Sequence, residues 1–297
     1  MTLNREIPPP VAGRRSLSRR TFLRAALHVS GGLTLAGAAG MGYACFIEPD
    51  WIEIERIMIR IPRLPKAFDG FTIVQMGDFH IGPDNGPKRI RAAVDAALKL
   101  EAQWFVLTGD FVTTLSGNEP DILVQELSRL SAPGGVYAVL GNHDWWTDAR
   151  TVADALDRAG IAVLRNASAA VRRGEEVLFL AGVDDVWEHK ADLERALAGV
   201  PDDGAAVLLA HEPDYADTVA ADGRVVLQLS GHSHGGQVRL PFNEPYVTPL
   251  WARKYRIGLY PVGNMQLYVN RGIGMVRPAV RFNCRPEITF LTLSNGG

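Results

Sequence analysis

The chain has 297 residues, 47% hydrophobic and 22% charged, enough for one large domain or two small ones with a sizeable core. A formal net charge of −2 argues against a nucleic-acid footprint. The two cysteines, Cys45 and Cys284, lack the spacing of a thiolate metal site and leave open a disulfide in an oxidising compartment.

The N-terminus departs from this balance. The first 44 residues hold six arginines and one acid, Glu6, so the remainder is acidic overall. Ser18-Arg-Arg-Thr-Phe-Leu-Arg24 resembles the twin-arginine export motif. Residues 25–46 follow, rich in Gly and Ala and free of Asp, Glu, Lys and Arg. That stretch reads as a signal or as an uncleaved anchor, since about 20 apolar residues span a bilayer. The expected division is residues 1–46 as signal or anchor and 47–297 as a catalytic domain.

Past residue 50 the pattern alternates. Residues 51–60 approach period two and read as a strand with one solvated face. Strands are expected at 71–76, 104–108, 136–140, 177–183, 206–210, 225–229, 265–270 and 288–293. Helices are expected at 87–101, where Pro87 marks the start, and at 121–130, 147–159 and 191–197. Alternation of this kind builds α/β layers. The closer spacing of the later strands and a hairpin expected around Gly235-Gly236 make part of the sheet antiparallel. Residues 241–261 form the longest irregular stretch and carry Phe242, Tyr246, Trp251, Tyr255 and Tyr260, as candidate substrate contacts or as packing.

The strand ends carry the chemistry. Five of them are followed by Gly-Asp78-Phe-His80, Gly-Asp110, Gly-Asn142-His143-Asp144, His211-Glu212 and Gly-His232-Ser-His234. In α/β sheets, sites form at the carboxyl ends of strands. Of the six histidines after the leader, only His189 falls outside this set. Imidazole and carboxylate without thiolate suit divalent Mn, Fe or Zn. The ligands exceed what one tetrahedral ion needs, and two ions about 3.5–4 Å apart, bridged by a carboxylate, would use them all. A neutral amide at Asn142 would leave such a site net positive and receptive to phosphate.

The ordered set D-x-H, GD, GNHD, H, GHSH resembles the calcineurin-like metallophosphoesterase superfamily, across about residues 71–236. The segments GHSHGGQVRLP, NRGIG and RPEI look most like a bacterial, exported, phosphodiesterase-like branch. The resemblance implies a four-layer α-β-β-α sandwich of two mixed sheets with metals at one end. It implies Asp78, His80 and His234 on a first metal, Asp110 as the bridge, and Asn142, His211 and His232 on a second. His143 would protonate the leaving oxygen or stabilise the transition state while a bridging hydroxide attacks phosphorus in line. One departure stands out. The protein-phosphatase branch continues its second motif as GDxxDR, and the matching positions here are Thr113 and Thr114. That argues against a phosphoprotein substrate and leaves Asp144 as a candidate partner for His143. Asn142 and Arg271 are candidate phosphate contacts.

The expected function is an exported hydrolase of phosphodiesters or pyrophosphates, acting in the periplasm or cell envelope. Its partners would be a small-molecule or lipid phosphoester, the twin-arginine export machinery and a membrane surface. Lipid-linked and nucleotide-sugar phosphates are the candidate substrates, with the Trp145-Trp146 pair as a candidate contact. The rival readings are a small-molecule phosphomonoesterase and a non-enzymatic, metal-dependent envelope-binding protein.

Overall fold

The computed structural model describes residues 19–240 and 247–296. The chain divides into two units, the first ending at Gly42 and the second beginning at Tyr43. In the first lies most of α1 (Arg19–Phe46), which carries no acidic residue in its first turn and leaves Leu23, Leu27 and Leu35 exposed. Residues 30–50 are long and apolar enough to cross a membrane.

The second unit is built from two sheets. Its strands in chain order are β1 (Glu53–Arg60), β2 (Thr72–Met76), β3 (Trp104–Thr108), β4 (Val136–Val139), β5 (Ala162–Val163), β6 (Ala167–Arg173), β7 (Glu176–Gly182), β8 (Ala206–Leu209), β9 (Val225–Ser230), β10 (Gly258–Val262), β11 (Met265–Val269) and β12 (Glu287–Ser294). One sheet runs β1-β12-β2-β3-β4-β5 and the other β10-β11-β9-β8-β7-β6. Both are mixed. Parallel pairing joins β2 through β5 and β7 through β9 to β11, while β12 opposes β2, and β6 and β10 are antiparallel edges.

Period-two side-chain placement separates the layers. Along β3, Trp104 and Val106 face the interior between the sheets, where they meet Ile73, Leu180, Leu209 and Leu291. Phe105 and Leu107 face the opposite way, onto helices α2 (Pro87–Ala97), α3 (Glu119–Leu127) and α5 (Ala149–Arg158). Helix α2 buries Ile90, Ala93, Val94 and Ala97, one stripe at helical spacing, and begins at Pro87, whose missing N–H costs nothing there. The outer face of the second sheet buries Leu208, Val225 and Leu267 against the short helices α6 (Leu193–Ala196) and α7 (Ala216–Val219). The result is the four-layer α-β-β-α sandwich. Cutting a fully buried inner side chain such as Leu209 to Ala would cost about 2–5 kcal/mol.

Some details differ from the sequence reading. Residues 234–236 are a tight 3-10 turn, with Gly235 and Gly236 at φ 56° and 76°, and the described residues on either side form no hairpin there. The antiparallel pairs lie at β6–β7, β10–β11 and β12–β2. The helix expected at 147–159 is α5, and a short helix that was not expected, α4 (Asn142–Thr147), precedes it. Asp148 breaks the run with an extended backbone, and its carboxylate accepts from Arg150 N and Thr151 N at 3.1 Å to cap α5. Strand β6 has no strong pattern because it is an edge strand with half its side chains in solvent. Both cysteines are free thiols, so the disulfide left open by composition is absent.

Candidate metal centre

The carboxyl ends of β2, β3 and β4 from one sheet and of β8 and β9 from the other meet at one edge of the sandwich. Asp78, His80, Asp110 and His234 form one buried group whose ligand-type atoms all lie within 4.8 Å of one another; Asp110, His211 and His232 form a second. The aim of these side chains is set by the backbone. Asp78, His80, Asp110, His232 and His234 all sit at positive φ, between 48° and 68°. A non-glycine residue there gives up roughly 1–2 kcal/mol. Such strain concentrates where function needs a side chain turned off its strand axis. Gly109, at φ 90°, lies where a Cβ would stand 2.7 Å from His211 Nδ1 and 2.8 Å from Gly141 N. A glycine is therefore required for the two sheets' contributions to close on Asp110.

The spacings fit coordination. Two ligands at the usual 2.0–2.1 Å from one ion lie roughly 3.0–3.4 Å apart. His80 Nε2 stands 3.0 Å from His234 Nε2 and 3.3 Å from Asp110 Oδ2. His211 Nε2 stands 3.2 Å from the same Oδ2 and 3.1 Å from His232 Nδ1. His234 Nε2 lies 3.5 Å from Asp78 Oδ1. Asn142 Oδ1 is buried without a hydrogen-bond partner among the described residues, an orphan that a cation would satisfy.

Electrostatics agree. Burial lowers His80 to about 3 and His232 to about 4, and holds His234 well below the usual imidazole value. A neutral ring is the form that binds a metal. Burial lifts Asp78 to about 7. Burial also opposes the charged forms of Asp110 and His211, yet their mutual attraction wins: Asp110 is held well below the usual carboxylate range and His211 well above the usual imidazole value. These buried Asp and His side chains suit a divalent metal.

A second layer orients the first. His211 Nδ1 donates to Thr108 O at 2.7 Å, which turns Nε2 toward Asp110. His232 Nε2 donates to Leu250 O at 2.7 Å, which leaves Nδ1 to ligate. Asp78 accepts from His232 N at 3.0 and 3.2 Å. The Cys284 thiol donates to His234 O at 3.3 Å from behind the loop. His143 is half-buried, its ring 4.7 Å from that of His80 and 4.8 Å from that of Trp146. Its Nδ1 lies 3.4 Å from Thr113 O. A carbonyl only accepts, so Nδ1 carries the proton and Nε2 is left for the cleft that His143 lines.

Two expectations are corrected. Asp144 does not partner His143: its carboxylate is consumed by Phe111 N, Val112 N and Gly141 N. The backbone carbonyl of Thr113 takes that place. Arg271 does not face the cleft. Its guanidinium is held by Glu287 at 2.6 Å, Glu55 at 2.8 Å and Glu53 at 3.0 Å, and it lines a separate polar pocket with Glu48 and Arg239. Asn142, His143, His232 and His234 do line the cleft, which encloses about 670 Å³.

Sequence reasoning missed a sixth strand end. Val183-Asp184-Asp185 follows β7 and shows the same signal as the other five, an apolar run ending in acid. Asp185 accepts from Glu188 N at 2.7 Å, and Glu212 from Val186 N and Trp187 N at 3.2 and 3.3 Å. Together they seat Trp187 edge-on to His232, 5.6 Å between rings, and to Trp146, 5.2 Å. Of the Trp145-Trp146 pair, Trp146 reaches the cleft, while Trp145 donates to Asp184 at 2.8 Å. Tyr255 and Tyr260 pack on each other, 5.1 Å between rings, against the core outside the second sheet. Phe242 and Tyr246 lie outside the described residues.

Residues 71–236 match the Calcineurin-like phosphoesterase family. The chain is 34% identical over 289 residues to the uncharacterized metallophosphoesterase YkuE of Bacillus subtilis (strain 168), covering 95% of this chain and 99% of that one. It is 30% identical to the phosphodiesterase YaeI of Escherichia coli (strain K12), covering 93% and 99%. It is 26% identical to the UDP-2,3-diacylglucosamine pyrophosphatase LpxG of Chlamydia muridarum (strain MoPn / Nigg), covering 84% and 91%. A strand-end cluster of buried carboxylate and imidazole, matched along nearly the full length of such relatives, makes this chain a metal-dependent phosphoester hydrolase that belongs to the calcineurin-like phosphoesterase family.

Proposed function

We propose that the protein is an exported hydrolase of phosphodiester or pyrophosphate bonds that holds two divalent ions, of Mn, Fe or Zn type, on the shared Asp110. The observation that carries this reading is the position of Asp110 Oδ2, 3.3 Å from His80 Nε2 and 3.2 Å from His211 Nε2. One carboxylate thus serves imidazoles from both sheets. Asp78, His80 and His234 complete one group, and Asn142, His211 and His232 the other. When bound, the two ions supply Lewis acidity and a water activated for in-line attack at phosphorus.

The chain's own residues do the rest. The Asn142 amide adds no charge, so the occupied site is net positive toward an incoming phosphate. His143, with Nδ1–H on the Thr113 carbonyl, presents Nε2 to the cleft and in its doubly protonated form gives a proton to the leaving oxygen. Trp146 and Trp187 wall the cleft on one side. A diester or pyrophosphate, lipid-linked or nucleotide-sugar in kind, is supported by the names of YaeI and LpxG among the relatives and by the Thr113-Thr114 departure from the protein-phosphatase motif. Export rests on the Arg19-Arg20 pair at the start of α1 and on the apolar stretch beyond it, which serves as signal or anchor for the catalytic domain from residue 47 onward.

A panel at fixed Mn²⁺ tests the activity: bis(p-nitrophenyl) phosphate, p-nitrophenyl phosphate, a nucleotide sugar and a phospholipid. Diester or pyrophosphate turnover that falls in His143→Ala is the expected result. Faster monoester turnover would make the protein a phosphomonoesterase, and bound metal with no hydrolysis at all would make it a binding protein. For the route, replacing Arg19 and Arg20 together by Lys is expected to hold the chain in the cytoplasm. Unaltered export of that variant would exclude the twin-arginine pathway.

A further inference from the structure

The cleft is chemically two-sided. Its floor is the polar cluster of Asp110, Asn142, His143, His232 and His234. The wall that rises from this floor is apolar: Val238, Leu240, Val247, Val276 and Pro278, with Trp146 across the opening. The wall is continuous with the metal residues, because Val238 and Leu240 follow His234 by four and six positions in the chain. Gln237 ties the two parts together. Its side chain donates to Val276 O at 3.0 Å and accepts from Val276 N at 2.6 Å, so Val276 stands beside the strand end that carries His234. Exposure is high for such side chains: Val238 40%, Leu240 50%, Trp146 50% and Val247 79%. Apolar side chains left in water around a cleft of about 670 Å³ need an apolar occupant, and that volume is ordinary for a ligand site.

We propose that this wall holds an alkyl or acyl chain of the substrate, so that the enzyme acts on amphiphilic phosphoesters whose chain begins close to the scissile phosphorus. The inference deepens the phosphoesterase reading and rests on it. It commits to a chain because Val238, Leu240, Val247, Val276 and Pro278 offer no side-chain hydrogen bond, and two of the polar side chains between them are spent, Arg277 on Asp84 at 2.8 Å and Gln237 on Val276, which leaves Thr248. A chain needs no hydrogen bond, and is recognised by the area it removes from water.

A homologous series of p-nitrophenyl alkyl phosphodiesters, methyl to octyl, each below its micellar concentration, tests this with the Mn²⁺-loaded full chain. The expected kcat/KM rises roughly two- to fourfold per methylene, the range from half to full burial of each CH₂, until the wall is filled. In Leu240→Ser and in Val276→Ser the octyl-to-methyl ratio, taken within each variant, is expected to fall at least fivefold. The methyl ester reports whether each variant still folds and binds metal. A flat series in the wild-type protein, with the methyl ester turned over, overturns the proposal and leaves the phosphoesterase reading intact. So does a nucleotide sugar that outruns the octyl ester. So does activation of the methyl ester by phosphatidylglycerol vesicles, which would make the wall a bilayer contact. No turnover of any member would remove the hydrolase reading underneath.

Discussion

On one side of Asp110, His211 and His232 spend their second ring nitrogens on the carbonyls of Thr108 and Leu250, both at 2.7 Å. On the other side, the Nδ1 atoms of His80 and His234 are buried without partners among the described residues, and the two rings face each other Nε2 to Nε2 at 3.0 Å. The first pair is fixed in tilt by these bonds. The second is held by its left-handed backbone positions and by packing, with no hydrogen bond to either Nδ1 among the described residues. Fixing a ligand's far nitrogen raises its basicity and commonly changes metal affinity 10–100-fold. The two halves should therefore differ in how tightly they hold metal, although they share a carboxylate.

The variant Asp110→Asn strikes both halves at once and should have the largest effect. Turnover of a diester is expected to fall by about 10³-fold or more, the scale of losing the pair's electrostatic work. Metal content is expected to drop on both sides. Retention of one full equivalent would mean that the halves do not depend on this carboxylate in common. Next comes His143→Ala, which removes a side chain that packs on His80 but belongs to neither ligand group. Loss of a general acid costs about 10²–10⁴ in kcat. Metal content should match the wild-type protein, and a parallel loss of metal would move His143 from proton donor to ligand.

The comparison itself is tested by chelator release. Stopped-flow mixing of the loaded protein with EDTA should give two phases, the faster from the His80–His234 side. In His234→Ala the fast phase should vanish and the slow one persist, while His211→Ala should remove the slow one. A rate ratio of about 10–100 is expected from the difference in outer partners. A single phase in the wild-type protein would refute the asymmetry.

Most of this site was legible because metal ligation demands residue types, and residue types are written in the sequence. Asp78, His80, Asp110, Asn142, His211, His232 and His234 stood out because each followed an apolar run. Their convergence from two sheets was not legible. It depends on positive φ at five of those residues, a backbone property that Asp and His do not advertise as Gly would. The partner of His143 was illegible for a related reason: it is the main-chain carbonyl of Thr113, and every residue owns one. Arg271 misled because an arginine at a strand end looks alike whether it grips phosphate or answers Glu53, Glu55 and Glu287, two of which lie more than 200 positions away. The sandwich was readable from the apolar runs of β2, β3 and β9, which are buried on both faces and so leave strong patterns. It was unreadable at β6 and β10, edge strands with exposed positions.

The smallest effect sharpens the same contrast from behind the better-fixed half. Beside His211, the Asp185 carboxyl is pushed up to about 9, by burial first and by the neighbouring Glu212 second. In the unfolded chain an aspartate titrates near 3.8. Between these values the native state keeps a proton that the unfolded state has released. Stability then falls as pH rises from about 4 to 9 and levels above that, with a slope of at most about 1.4 kcal/mol per pH unit from this group. Asp185→Asn removes the titration, and the Asn side-chain carbonyl can still accept from Glu188 N, where Asp185 accepts at 2.7 Å. Urea denaturation of the two metal-free proteins at pH 5.5, 7 and 8.5 is expected to show the variant gaining on the wild-type protein as pH rises, by up to a few kcal/mol. A stability difference that does not change with pH would mean that Asp185 is already ionised in the folded protein, and that the support under Trp187 and His232 is a charged one.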